Sequence, residues 1–431
     1  MTAYLVDPAT SVQGRIRVPG DKSISHRSLM LGGIATGITE VTGFLPSADC
    51  HATRSALRAM GVTVDELGED HLRVHGVGLH GLRGADSLLD MGNAGTAIRL
   101  FMGLLSGQRF PSTLSGDASL QRRPMERVAK PLRLMGADIE TQDGKPPVKL
   151  RPVPRLTAID YAMPVASAQV KSAILLAALY ADGTTRVSEP APTRDHTERM
   201  FETLGVRVAR SGGTVAIDGG QSLMAAPIDV PGDFSSAAFF IVAGCIAARG
   251  SFVIENVGVN PTRTGLLDIL KLMGADIRLH PRGSGAEPVA DIEIHAAPLR
   301  GIRVPEALVP LAIDEFPVLF IAAACASGQT VVTGAEELRV KESDRLATMA
   351  EGLTTLGIRN ELAPDGITIE GGRFGTGRID SHGDHRIAMA FSIASLNAEG
   401  PIRVEDVENV ATSFPGFVTI ARRAGLSVQS A

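Results

Sequence analysis

Charged and hydroxyl side chains recur at the start of six apolar segments that the sequence predicts to be buried helices. A buried helix is polar only at its N-terminus, where unpaired N–H groups and the helix dipole attract anions. These polar starts are Lys22-Ser23 through Arg27, Asn93 to Thr96, Ser167-Ala168-Gln169, Asp233 with Ser235-Ser236, Asp314-Glu315, and Asp384-His385-Arg386. Such groups can bind one or two small polyanions, and their carboxylates can move protons.

The predicted amphipathic helices add a second set of charges, namely Arg122-Arg123-Pro124, Arg194-Asp195-His196, and Lys341-Glu342-Ser343-Asp344-Arg345. Taken singly, each set has a structural explanation as a helix cap or a solvated helix face. His26, His196 and His385 lack metal-ligand spacing, so no metal site is predicted. Because most of these sets fall at the same position of a repeat, we expect them to form a polyanion site in a cleft between two lobes.

The repeat is visible in an octapeptide, Leu132-Arg-Leu-Met-Gly-Ala-Asp-Ile, that returns almost unchanged from Leu270. Glycines that would end amphipathic helices occur at 61, 136, 205, 274, 357 and 425. The six apolar segments end near glycines at 37, 107, 183, 250, 328 and 400, and short β-branched stretches follow them. The sequence therefore predicts six βαβαββ units.

A second duplication divides these units into two lobes. Val18-Pro-Gly-Asp21 recurs as Val230-Pro-Gly-Asp233, each time just before an apolar helix. We predict one lobe of three units over 21–232 and a second over 1–20 with 233–431. Pro-Gly at both crossings suits a hinge, at 18–21 and 230–233.

Composition limits the class of protein. The 431 residues are 44% hydrophobic, and 42 Lys and Arg against 47 Asp and Glu give a net charge of −5. The hydrophobic fraction excludes a disordered chain. The slightly negative net charge argues against nucleic-acid binding. The longest apolar runs fall short of the ~18 residues of a membrane span. With no signal sequence at the start and three unpaired cysteines, a cytoplasmic protein is expected.

The sequence gives no support to a nucleotide-binding enzyme or a serine hydrolase. Gly76-Val-Gly-Leu-His-Gly81 fits GxGxxG, but Leu-Arg-Gly-Ala-Asp follows where a helix is needed, so we interpret it as a turn. The sequence contains neither a Walker motif nor a GxSxG elbow.

Seven segments, in this order along the whole chain, resemble the 5-enolpyruvylshikimate-3-phosphate (EPSP) synthase family: VPGDKSISHRS, GNAGTAIRL, GDASLQRRPM, ASAQVKSA, RVKESDRL, GDHRIAMAFS and ATSFPGF. The resemblance implies an α/β fold, an inside-out α/β barrel of two lobes, each with three βαβαββ units around buried parallel helices. It implies transfer of the enolpyruvyl group of phosphoenolpyruvate to the 5-hydroxyl of shikimate-3-phosphate, with release of phosphate. It also implies a monomer without cofactor or metal, and competition between phosphoenolpyruvate and the inhibitor glyphosate.

The resemblance also assigns site residues. It places shikimate-3-phosphate against Lys22, Ser23, Arg27, Ser167, Ala168, Gln169, Asp314 and Lys341. It places phosphoenolpyruvate against Lys22, Gly95, Arg123, Gln169, Arg345 and Arg386, since guanidinium forks bind carboxylate and phosphate bidentately. Gly95 is expected to leave backbone N–H groups open to the ligand. Asp314 is the candidate base at the hydroxyl, and Glu342 with Lys22 are candidates for proton transfer at the methylene carbon.

Two departures and three alternatives accompany this interpretation. Ser413 stands where many relatives carry Lys, and Arg194 stands where other members use a tyrosine. An enolpyruvyl transferase acting on UDP-N-acetylglucosamine shares the fold, but it typically carries Asn where Ser23 stands and a loop cysteine in a stretch, 51–244, that has none here. A scaffold without activity would not need charged helix starts, and an RNA-terminal cyclase would need nucleotide chemistry.

Overall fold

The computed structural model describes residues 2–283 and 285–431. The chain forms two compact units: a split unit, Met1–Pro19 with Pro231–Ala431, and a continuous unit, Gly20–Val230. Each unit has its own hydrophobic core, and no core cluster mixes described residues of the two. The chain begins in the split unit with strands β1 (Ala3–Asp7) and β2 (Gly14–Arg17).

The continuous unit contains six helices and fourteen short strands among its residues, all of which are described. The helices are α1 (Lys22–Ile34), α2 (Ala48–Ala59), α3 (Gly95–Ser106), α4 (Glu126–Leu134), α5 (Ala168–Ala178) and α6 (His196–Thr203). The strands are β3 (Thr36–Thr42), β4 (Thr63–Glu66), β5 (Leu72–Val77), β6 (Leu89–Asp90), β7 (Ser112–Ser115), β8 (Asp138–Gln142), β9 (Lys145–Arg151), β10 (Leu156–Thr157), β11 (Asp160–Ala162), β12 (Ala181–Asp182), β13 (Thr184–Ser188), β14 (Ala209–Ser211), β15 (Thr214–Asp218) and β16 (Ile228–Asp229).

Three four-stranded sheets of this unit share one topology, with the orders β16-β3-β5-β4, β6-β7-β9-β8 and β11-β13-β15-β14. In each sheet the first two strands are parallel and the remaining neighbours are antiparallel. Parallel neighbours need a crossover, and in two of the sheets a buried helix supplies it. The first sheet instead takes its parallel strand, β16, from the end of the unit.

The split unit continues after the second crossing. Its helices are α7 (Phe234–Ile246), α8 (Gly265–Leu272), α9 (Val309–Ala312), α10 (Phe316–Cys325), α11 (Arg345–Thr355), α12 (His385–Ile393) and α13 (Phe417–Arg423). Its further strands are β17 (Ser251–Gly258), β18 (Asp276–Arg282), β19 (Val289–His295), β20 (Gln329–Val332), β21 (Asn360–Ala363), β22 (Gly366–Glu370), β23 (Gly377–Asp380), β24 (Ile402–Glu405) and β25 (Ser427–Ser430).

Two sheets of the split unit repeat the same topology, in the orders β18-β19-β17-β2 and β23-β24-β1-β25. The N-terminal strands thus complete sheets whose other strands come after the second crossing: β2 joins strands within 251–295, and β1 joins strands within 377–430. The remaining sheet has three strands, β20-β22-β21, and its parallel partner is reduced to a single bridge between Arg303 and Val331. The prediction of six βαβαββ units is confirmed, with a rudimentary first strand in this one.

Buried helices form the centre of each unit. In the continuous unit α3 packs against both α1 and α5, and in the split unit α7, α10 and α12 pack against one another. The crossing of α3 with α5 depends on Gly103, where an added Cβ would lie 2.1 Å from the Ala173 carbonyl oxygen. These helices are apolar on nearly every face, and the charged side chains of α1 and α3 lie in the first half of each helix.

The six glycines predicted to end amphipathic helices all have left-handed backbone conformations, with φ between +83° and +104°. Each follows directly after the residue that caps the C-terminus of a helix, as Gly61 follows Met60 after α2. The structure confirms this prediction. A positive φ is a local requirement that glycine meets at little cost, so it can be predicted from the sequence. The GxGxxG segment begins in the last two residues of β5 and continues into a turn, and no helix follows it, in agreement with its interpretation as a turn.

Candidate active site

Lys22 is the first residue of α1, and Asp21 caps that helix by accepting the Ile24 N–H at 2.9 Å. The Lys22 ammonium forms an ion pair with Asp49, a buried carboxylate in the first turn of α2. Sequence reasoning missed Asp49, although a carboxylate in the first turn of a helix was a visible signal. The pairing fixes a cation at the start of the buried helix.

Arg27 lies one turn further along α1 and is buried. Its Nε donates to Thr197 Oγ1 at 2.8 Å, its Nη2 donates to Ser172 Oγ at 2.9 Å, and its Nη1 donates to the Ser23 carbonyl at 2.9 Å. Thr197 Oγ1 also donates to Ser172 Oγ at 2.8 Å. Three helices therefore fix the plane of one guanidinium group.

Between these two cations, His26 is buried and its Nδ1 is 2.7 Å from Thr53 Oγ1. Burial, together with the positive charges of Lys22 and Arg27, lowers the pKa of His26 from 6.5 to about 3. The imidazole is therefore neutral at physiological pH, and it is unsuited to donate a proton as an imidazolium.

Gln169 is held by two residues of α3. Arg99 Nη1 donates to Gln169 Oε1 at 2.7 Å, and Gln169 Nε2 donates to Thr96 Oγ1 at 2.9 Å. Ser167 caps α5 by accepting the Val170 N–H at 3.4 Å, and Ala168 begins that helix. The structure thus brings the predicted residues of α5 next to the start of α3.

The start of α3 is occupied by arginines. A Cβ added to Gly95 would lie 2.8 Å from Arg123 Nη1 and 3.2 Å from Arg99 Nη1. Arg123 is held in turn by Asn93, whose Oδ1 accepts from Arg123 Nη2 at 2.5 Å. The Gly95 N–H donates to the Asn93 carbonyl at 2.9 Å, and the expectation that glycine here leaves backbone N–H groups open to the ligand stays a prediction.

In the split unit, Arg345 begins α11 and its side chain is buried. Its Nε donates to Asp384 Oδ2 at 2.8 Å, and its Nη2 donates to Glu342 Oε2 at 2.6 Å. Burial opposes ionisation of Asp384, but the Arg345 cation outweighs burial and holds the pKa of that carboxyl below its usual value. Lys341 to Asp344 precede the helix, so the alternative of a solvated charged helix face is wrong for this set.

Asp314 joins the remaining cations of this unit. Its Oδ1 is 3.5 Å from Lys341 Nζ and 3.6 Å from Arg345 Nη1, and its carbonyl accepts from Arg386 Nη1 at 2.7 Å. Glu315, the next residue, is the N-cap position of α10. All five predicted residues of the split unit therefore form one connected group: Asp314, Lys341, Glu342, Arg345 and Arg386.

Ser413 follows a short 3-10 turn, Glu408–Thr412, that packs against α12. Its backbone N–H donates to the Val410 carbonyl at 3.2 Å.

Among residues 2–283 and 285–431, no group of three or more His, Cys, Asp or Glu side chains has an arrangement that could hold a metal ion. Over the same residues, no helix combines the length and the apolar character of a membrane span.

The fold is shared with a solved enolpyruvyl transferase. The structure of NikO, an enolpyruvyl transferase from Streptomyces tendae, has the same fold with a TM-score of 0.81 at 18% identity, covering 100% of this chain and 99% of that chain. The family model of EPSP synthase (3-phosphoshikimate 1-carboxyvinyltransferase) matches residues 6–420. The chain belongs to the EPSP synthase family, which is a family of transferases.

Individual relatives agree over the full length. A protein from Methylococcus capsulatus named 3-phosphoshikimate 1-carboxyvinyltransferase is 60% identical, over 99% of this chain and 98% of its own. A relative of the same name from Acidithiobacillus ferrooxidans is 58% identical over 100% of both chains. The structure of EPSP synthase from Acinetobacter baumannii is 53% identical with a TM-score of 0.91, covering 100% of both chains.

Proposed function

We propose that the protein transfers the enolpyruvyl group of phosphoenolpyruvate to the 5-hydroxyl of shikimate-3-phosphate and releases inorganic phosphate. One observation carries the mechanism: two carboxylates, Asp314 and Glu342, contact the same buried guanidinium, Arg345. The reaction needs two proton-transfer groups near an anionic substrate, and this arrangement supplies both beside a fixed cation.

The addition step forms a bond between the 5-oxygen and C2 of phosphoenolpyruvate. The hydroxyl loses its proton, for which Asp314 is the base, while the methylene carbon gains one from Glu342 or Lys22. In the elimination step the new methyl group returns a proton and the C2–O bond to phosphate breaks. Arg345 lies beside both carboxylates, and Lys341 lies beside Asp314.

Shikimate-3-phosphate is assigned to residues at the starts of α1 and α5. Lys22, Ser23 and Arg27 come from α1, and the α5 set is Ser167, Ala168 and Gln169. Arg27 supports this assignment because its guanidinium is fixed by Thr197 and Ser172 before any ligand arrives, and preorganised donors lose less entropy on binding. Asp314 and Lys341 complete the set for this substrate.

Phosphoenolpyruvate is assigned to the arginines and to the small helix start at Gly95. Arg123, Arg345 and Arg386 are each oriented by a hydrogen bond to a side-chain or backbone oxygen. Lys22, Gly95 and Gln169 complete this set. Several planar guanidinium groups can bind both the carboxylate and the phosphate of one substrate, which a single positive charge on the protein cannot do as well.

Phosphate release tests the proposed reaction. The protein is incubated with phosphoenolpyruvate and shikimate-3-phosphate, and inorganic phosphate is measured against a reaction without acceptor. In a parallel reaction, UDP-N-acetylglucosamine replaces the acceptor. We expect release only with shikimate-3-phosphate, and the family relationship does not favour the other acceptor. Release with UDP-N-acetylglucosamine alone would reject the proposal.

The proposal includes no cofactor and no partner beyond these small molecules, and no nucleic acid or membrane. It also includes a monomeric, cytoplasmic protein. Sedimentation of the purified chain at micromolar concentration tests the monomer, and an apparent mass of twice 45.1 kDa would contradict it.

A further inference from the structure

A buried ion-pair cluster lies in the continuous unit, apart from the assigned site residues. Lys171 is on α5 with only 1% of its side chain exposed, and its Nζ is 2.8 Å from Glu198 Oε1 on α6. The Glu198 side chain is completely buried. The pair therefore joins α5 to α6 with two charges removed from solvent.

The Lys171 ammonium also holds the segment that leads into α6. It donates to Glu189 Oε1 at 3.2 Å and to the Thr193 carbonyl at 3.4 Å. Thr193 Oγ1 donates to Glu189 Oε2 at 2.6 Å, so the two ends of the segment from Glu189 to Thr193 are hydrogen-bonded to each other. Arg194, one of the departures from other family members, is the next residue of this segment.

The cluster is adjacent in sequence to the two hydroxyls that hold Arg27. Ser172 follows Lys171 on α5, and Thr197 precedes Glu198 on α6. Both hydroxyls accept hydrogen bonds from the Arg27 guanidinium, at 2.9 Å and 2.8 Å. The distance between α5 and α6 at this point therefore sets the geometry of the Arg27 side chain.

Stability alone is a weak explanation for such a cluster. Desolvation of buried charges often equals or exceeds their mutual attraction, and well-packed apolar residues can replace a buried ion pair without loss of stability. In some proteins a buried charge pair nevertheless fixes the relative position of two elements more narrowly than apolar contacts, which tolerate repacking.

We propose that Lys171 and Glu198 are positioning residues for Arg27: their ion pair fixes α5 against α6 so that Ser172 and Thr197 hold the guanidinium towards shikimate-3-phosphate. This inference rests on the proposed assignment of Arg27 to that substrate. It predicts that loss of the pair weakens the use of shikimate-3-phosphate and not of phosphoenolpyruvate.

Steady-state kinetics of Lys171→Met and of the double variant Lys171→Met/Glu198→Met test the inference. One lysine against two glutamates gives the cluster a formal charge of −1, and the double variant keeps −1. We expect the single variant to lower Tm and the double variant to regain much of it. In both, KM for shikimate-3-phosphate should rise roughly tenfold, as expected when a hydrogen bond to a charged group is misaligned. KM for phosphoenolpyruvate should change less than about twofold.

Two further variants separate the possible results. Thr197→Val removes one Arg27 contact without changing any charge, and it should reproduce the rise in KM for shikimate-3-phosphate. Lys149→Met removes a lysine from an exposed pair with Glu140, and it should leave both KM values unchanged. If the double variant regains both Tm and a normal KM for shikimate-3-phosphate, the cluster is only structural and the inference is wrong.

Arg27→Lys distinguishes failure of this inference from failure of the proposed function. The guanidinium plane is lost and one positive charge is retained, so KM for shikimate-3-phosphate should rise at least as much as in Lys171→Met. If the natural protein is active and Arg27→Lys has a normal KM, there is no guanidinium to position and the inference is overturned while the reaction stands.

Discussion

Arg345 and Asp384 form a hydrogen-bonded ion pair of 2.8 Å in which neither side chain exposes more than 1% of its surface. The same carboxylate accepts the Arg386 backbone N–H at 2.9 Å and thereby caps α12. One buried carboxylate thus orients one arginine assigned to phosphoenolpyruvate and begins the helix that carries another.

We expect Asp384→Ala to damage both stability and substrate use. Removing one partner leaves the Arg345 charge buried without its main counter-ion, which typically costs about 3–5 kcal/mol. KM for phosphoenolpyruvate should rise at least about tenfold, while KM for shikimate-3-phosphate changes less. Urea unfolding and steady-state kinetics measure the two effects.

Asp384→Asn is the matched control for that prediction. It keeps an oxygen for the α12 cap but loses the negative charge, so it should retain more stability than Asp384→Ala and still raise KM for phosphoenolpyruvate. A normal KM in both variants would mean that Asp384 supports the fold without orienting the arginines.

Asp314→Asn and Glu342→Gln test the proposed proton transfers. Asp314 lies outside the N-cap position of α10, which is Glu315, and α11 is capped by Asp344, which accepts the Ala347 N–H at 3.0 Å. Loss of an acid or base typically lowers the rate by 10²–10⁴-fold. We expect kcat to fall by that factor with little change in Tm.

A cap variant supplies the comparison. Asp344→Ala should lower stability by about 0.5–2 kcal/mol, as expected for a lost cap. Near-normal turnover in Asp314→Asn and Glu342→Gln, together with a lower Tm, would assign both carboxylates to the fold instead of the chemistry.

The buried His26 makes a prediction about pH. Its folded pKa of about 3 lies below its unfolded value of 6.5, so below pH 6.5 the unfolded chain binds a proton that the native protein excludes. The free energy of unfolding is therefore not reduced by His26 above about pH 6.5. It decreases as pH falls from 6.5 towards 3. The slope approaches about 1.4 kcal/mol per pH unit for one proton.

Urea unfolding between pH 7 and pH 4 should show this contribution in the natural protein and not in His26→Asn. The imidazole NMR signal of His26 should also stay constant from pH 8 to pH 5. A signal that titrates with a midpoint near 6.5 would contradict the burial of a neutral ring.

Local backbone requirements were readable from the sequence, and side-chain pairings were not. The repeat and its helix-ending glycines, such as Gly61, follow from patterns within a few residues. The partner of Lys22, Asp49, lies on a different helix, and the approach of Arg345 to Asp384 spans 39 residues of chain. No spacing rule connects such pairs, because the rotamers and the crossing of the helices decide them.

Gly95 gives the last prediction, which concerns glyphosate. A methyl group at this position would lie 2.8 Å from Arg123 Nη1, so the guanidinium must shift when Gly95 becomes alanine. This end of the side chain is flexible, so the fold should tolerate the change. Overpacking by a methyl group typically costs about 1–3 kcal/mol, which is roughly 5- to 150-fold in affinity.

Glyphosate is longer than phosphoenolpyruvate, so the same loss of space should affect it more. We expect the natural protein to be inhibited by glyphosate, and Gly95→Ala to raise the inhibition constant by a larger factor than it raises KM for phosphoenolpyruvate.

The displaced Arg123 accounts for the part of the effect that both ligands share. An Arg123→Lys variant measures that shared part, since it changes the same cation without adding a methyl group at residue 95. Measurement of both constants in all three proteins decides the matter: if Gly95→Ala changes them in parallel, as Arg123→Lys should, the methyl group acts only through the arginine and not on the longer ligand itself.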